Sequence, residues 1–69
     1  MRMKDIEIGK YYLMQDCEGY KHVVYVEDKD YRYVNVVFLQ SPKNRGGGYF
    51  PYRLLKKLDK SELLLEMMD

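Results

Sequence analysis

The run Tyr31–Gln40, YRYVNVVFLQ, constrains this chain most, because its β-branched and aromatic residues favour an extended backbone over a helix. Val34, Val36 and Phe38 recur at every second position and are expected to face a core. Tyr33, Asn35, Val37 and Leu39 share the opposite parity and make a second face too apolar to be fully solvated, suited to cover by the tail or by a partner. Upstream, Tyr20–Glu27 (YKHVVYVE) reads as a further strand with Val24 and Val26 inward, and Asp28-Lys29-Asp30 punctuates the two runs.

At 69 residues the chain is near the lower limit for a domain held by one hydrophobic core, so a single small domain over residues 1–69 is expected. Cys17 is the only cysteine, which rules out an internal disulfide and favours a cytoplasmic location. The opening Met1-Arg2-Met3-Lys4-Asp5 lacks the apolar run of a signal peptide. Leu63–Leu65, the longest apolar cluster near an end, falls far short of the roughly 20 residues that span a bilayer, so no membrane association is expected.

Around the two central runs the remaining elements take shape. Ile6 and Ile8 alternate with charges, Gly9 permits a bend, and Lys10–Gln15 reads as a strand. Ile6, Ile8, Tyr12 and Met14 are the expected inward set, with Tyr11 and Leu13 competing for the core. Asp16-Cys17-Glu18-Gly19 is a turn. Ser41-Pro42 ends the strongest strand, and Lys43–Gly48 reads as a flexible connection. Tyr49-Phe50 resumes an extended pattern, Pro51 opens a short helical turn through Leu54, and Leu55–Leu58 forms a last strand. Asp59 or Ser61 is expected to cap a short helix over about residues 60–68, Asp59 with Glu62 having the spacing of a capping box.

Four or five short antiparallel strands at such spacing fit a small all-β barrel over about residues 6–58, since closure removes exposed edges. Ile8-Gly9 before Tyr12, Val24 with Val26, Val34-Val36-Phe38, and Phe50-Pro51 leading into Leu54, Leu55 and Leu58 give a layout that resembles the SH3-like small barrels, the group holding SH3, Tudor-like and KOW-like domains. In that layout Phe50, Leu54, Leu55 and Leu58 are expected to close the barrel. The chain has no tryptophan, so the resemblance does not extend to the SH3 groove for proline-rich peptides.

Catalytic equipment is sparse. Cys17 lies between Asp16 and Glu18, whose charges oppose thiolate formation, and His22 reads as a packed or paired strand residue. One Cys, one His and scattered carboxylates make no metal set, and the triglycine lacks the Gly-Lys-Ser/Thr ending of a phosphate loop, so no cofactor, no metal and no enzymatic activity is expected. Charge is segmented despite a formal total of +1: Met1–Asp30 and the tail from Ser61 are acidic, while Tyr31–Lys60 is strongly basic. Within the basic part, Lys43, Arg45, Tyr49, Tyr52 and Arg53, joined by Arg32, form the expected partner-binding surface. Such a surface serves a protein partner through large amphipathic contacts, or single-stranded DNA or RNA through stacking and phosphate attraction. Near-neutral total charge favours a protein-binding adaptor or inhibitor module, of the compact kind common in phages and mobile elements, with a nucleic-acid-binding barrel as the alternative. The small core and the Val37 and Leu39 face also suggest a homodimer.

Overall fold

The computed structural model describes residues 1–39 and 46–67. Five strands, β1 (Tyr11–Gln15), β2 (Lys21–Lys29), β3 (Val34–Phe38), β4 (Gly46–Tyr49) and β5 (Leu54–Leu58), form one sheet in the order β4-β3-β2-β1-β5, followed by helix α1 (Lys60–Met67). Every pairing is antiparallel. The protein is thus β-rich, and its sheet is open: β4 and β5 are its two ends, with no pairing between them among the described residues.

The period-2 pattern sorts the side chains as expected. Tyr12, Met14, Val24, Val26, Val34 and Val36 join Ile6 and Leu54 in one buried cluster, with Phe38 and Tyr49 packed partly against it. Burying each such side chain contributes about 1.5–3 kcal/mol. Tyr12 is completely buried, and its hydroxyl accepts the backbone N–H of Glu7 at 2.8 Å, so the ring enters the core with its polar end satisfied. The competing residues take the other face, where Leu13, Val23 and Leu58 form a second cluster flanked by Tyr11, Leu39 and Leu63. Leu63 comes from α1, so the tail does cover part of that apolar face.

Several expectations are corrected. Ile8 is exposed, because it sits in the turn at Gly9, whose φ of 86° breaks the alternation that would have carried Ile8 inward. Asp28 and Lys29 do not end β2 but extend it beyond a register shift, and the Lys29 ammonium donates to the carbonyls of Met3 (3.0 Å) and Ile6, tying the N-terminal turn to the sheet. Tyr31–Tyr33 lie outside β3, because the Asp30 carboxylate accepts the N–H groups of Arg32 and Tyr33, both at 2.7 Å, and holds a turn there. Gly46–Gly48 are strand rather than flexible connection. Phe50 and Leu55 are exposed and close nothing: Phe50 precedes the 3-10 turn Pro51–Arg53, and Leu55 falls at the β1–β5 register shift. The expected strand end at Ser41-Pro42 lies outside the described residues.

The capping box at α1 forms as its spacing predicts. Asp59 Oδ1 accepts the Glu62 N–H at 2.8 Å, and the Asp59 N–H points back to Glu62 Oε1 at 3.4 Å. Glu62 also pairs with Lys56 at 2.8 Å, which anchors the helix to β5. Two substitutions test this framework by urea unfolding. Tyr12→Phe strips the Glu7 N–H of its acceptor without changing the packed shape and is expected to cost about 1–2 kcal/mol. Asp59→Ala is expected to cost about 1 kcal/mol and to fray α1, seen as lost helical circular dichroism.

Candidate functional groove

Two turns and a 3-10 segment assemble a groove on one side of the sheet. The β1–β2 turn is built on Asp16: one carboxylate oxygen accepts the N–H groups of Glu18 and Tyr20, each at 2.9 Å, and Gly19 takes φ 93° to complete the reversal. The other oxygen meets His22 Nε2 at 2.8 Å, and the His22 ring stacks on Phe38 at 4.8 Å between centroids. His22 therefore braces the turn against the sheet. The His22 hydrogen bond, with help from the Tyr20 and Glu18 N–H groups, holds the Asp16 carboxyl below the usual carboxylate range.

Across from this turn, Pro51 pre-sets the backbone of the 3-10 turn, closed by the Arg53 N–H donating to the Phe50 carbonyl at 3.0 Å. That geometry throws Phe50 and Tyr52 outward on the same side, their rings stacked at 5.7 Å and 12°. Tyr33, held by the Asp30 turn, meets Phe50 at 5.1 Å, and the Arg53 guanidinium lies 5.0 Å from the Tyr52 ring centroid. A continuous array Tyr33–Phe50–Tyr52–Arg53 results, in which Phe50 is 46% and Tyr52 61% exposed.

Between the turn and the array runs a groove of about 440 Å³, with Asp16 and Glu18 on one wall, Tyr33, Phe50 and Arg53 on the other, and Gly48 and Tyr49 also lining it. The walls thus offer aromatic faces and both signs of charge. Cys17 also lines the groove, as an exposed free thiol. Among the described residues no group of three or more His, Cys, Asp or Glu side chains could hold a metal ion. No helix among the described residues is long and apolar enough to cross a membrane.

Of the residues singled out from sequence, Tyr49 and Arg53 line this groove and Tyr52 extends its ring array. Tyr49 has a second job, packing on Phe38 at 5.7 Å beside the core. Arg32 lies apart from the groove lining and rests over the neighbouring Tyr31 ring at 5.7 Å. Lys43 and Arg45 lie outside the described residues. The acidic wall has no signal in the local sequence, since only the topology places the Asp16–Gly19 turn opposite Pro51–Arg53. Phe50, expected to close the barrel, instead precedes the proline that opens the 3-10 turn and is exposed, and that position before Pro51 is the signal in the sequence for it.

Acid should loosen the groove's first wall. With its pKa depressed in the fold, Asp16 contributes stability that is present above the unfolded carboxylate pKa and is lost as pH falls through the folded one. Asp30 acts in the same direction, its carboxyl lowered by the Tyr33 and Arg32 N–H groups. Urea midpoints should fall progressively below about pH 5, and Asp16→Asn should show a shallower decline than the wild-type chain over the same range. No protein-family model, curated protein or solved structure matches the chain.

Proposed function

We propose that the protein is a non-enzymatic, protein-binding adaptor or inhibitor module that takes a segment of its partner into the groove between the Asp16–Gly19 turn and the 3-10 turn. The observation that carries this reading is the exposed array Tyr33–Phe50–Tyr52–Arg53 beside an acidic wall. Tyrosine and arginine provide large contact area with polar ends, the chemistry of binding hot spots. A wall carrying Asp16 and Glu18 repels a phosphate backbone but accepts the mixed charges of a polypeptide. The strand order, a β1–β4 meander with β5 returning to β1, supports a sheet curled as an SH3-like small barrel. The exposed free Cys17 supports residence in a reducing compartment such as the cytoplasm.

A second reading, single-stranded nucleic acid, is favoured by one feature: the stacked Phe50 and Tyr52 rings with Arg53 beside them suit bases and phosphate. Capture from native lysate with and without nuclease, followed by binding of the recovered partner at two salt concentrations, separates the two. A stoichiometric protein that survives nuclease, and whose affinity drops by about 1–3 kcal/mol on Tyr52→Ala or Arg53→Ala, is the expected result. Loss of every partner on nuclease treatment, with a steep salt slope toward RNA or DNA, would transfer the groove to the second reading.

A further inference from the structure

The two ends of the sheet are treated differently by the sequence. At the β5 end three common devices against strand addition are present: a register shift at Leu13/Met14, two lysines on the strand, and a helix tied to it through Lys56 and Glu62. Lys57 is held in turn by Glu7. The β4 end has none of these. Gly46–Tyr49 holds an unbroken register with β3, carries no charge and no proline, and has no strand on its outer side among the described residues.

The glycines of β4 are not all explained by the fold. A Cβ on Gly46 would overlap the Val36 carbonyl oxygen, and one on Gly48 would press on Asn35 Oδ1 at 3.3 Å. At Gly47 a Cβ would meet only a ring carbon of Tyr49 at 3.7 Å, an ordinary contact, and the positive-φ glycines among the described residues are Gly9 and Gly19. Glycine weakens a strand, so its use where the fold has room for a side chain points to close approach from outside. Beside this bare edge the same molecule exposes Phe50, with Tyr33 against it.

We propose that the outer edge of β4 pairs antiparallel with β4 of a second copy of the chain, joining two sheets across a two-fold axis. A two-fold places each strand opposite itself, so a charged edge brings like charges together; β4 is neutral, whereas β5 would bring its Lys56-Lys57 pair beside the same pair of the second copy. The edge also supplies both halves of a fit, bare glycine backbone and a flanking exposed ring, and an aromatic laid over a cross-strand glycine is a known stabilising pair. The interface is short, so the dimer is weak and concentration-dependent, and because Gly48 and Phe50 also line the groove, pairing and partner binding compete for them.

Sedimentation velocity on the intact chain from about 10 μM to about 1 mM tests the proposal, spanning the affinities of small interfaces. The expected result is a monomer–dimer equilibrium whose dissociation constant rises about tenfold or more in Gly47→Lys, a change of roughly 1.4 kcal/mol or greater, and stays put in Leu55→Lys at the opposite edge. Gly47→Lys should keep the wild-type thermal midpoint at low concentration, since its Cβ has room. Amide exchange within Gly46–Gly48 should slow as concentration rises. A monomer across the whole range overturns the proposal, as does a dimer that Gly47→Lys leaves intact or Leu55→Lys abolishes.

Discussion

Tyr12, Leu13 and Met14 are three consecutive buried residues, and a strand can bury consecutive residues only if both of its faces are covered. That demand shapes the rest of the molecule. One face of β1 is covered by the large cluster drawn from all the sheet's inward positions, with the N-terminal segment contributing Ile6. The other needs Val23, Leu58 and the Leu63 side chain of α1. The short terminal helix is therefore part of the domain's packing rather than an appendage, which accounts for a capping box and a Lys56–Glu62 pair on a helix of eight residues. Helices of that length are not stable by propensity alone.

Much of this was legible in the sequence because it depends on period and on local turn chemistry. The even positions of β1, β2 and β3 face the main cluster as alternation requires, and Asp59 with Glu62 three residues on marks the start of the helix. What alternation cannot show is where it breaks. Ile8 keeps the right parity but precedes a left-handed glycine, and Leu55 keeps a hydrophobic identity at a register shift. Gly46–Gly48 carry low intrinsic preference for a strand, and only their pairing to Val36, Val37 and Asn35 makes them one. The groove was half legible for the same reason: Tyr49, Tyr52 and Arg53 are neighbours along the chain, whereas Asp16 and Glu18 are brought to them by topology.

The groove also illustrates how a small domain can present a large side-chain surface without losing its core. Its rings are not borrowed from the sheet interior; they stand on two turns, one fixed by the Asp30 carboxylate and one by Pro51. Short connections with their own hydrogen bonds let Tyr33 and Phe50 hold a defined spacing while the strands between them bury valine. Tyr49 is the exception, serving groove and core at once, so changes there would mix recognition with stability.

The pairing of β5 with β1 has a consequence for how the chain reaches this state. Strands β1 to β4 can form by successive local reversals, but Tyr11 finds Leu58 and Met14 finds Leu54 only after the intervening chain is in place. The last strand must therefore close a long loop, the kind of contact that slows folding and arrives late. Until it does, one side of β1 stands open beside Tyr12, Leu13 and Met14, and a nascent chain emerging from the ribosome would carry that sticky edge through most of its synthesis.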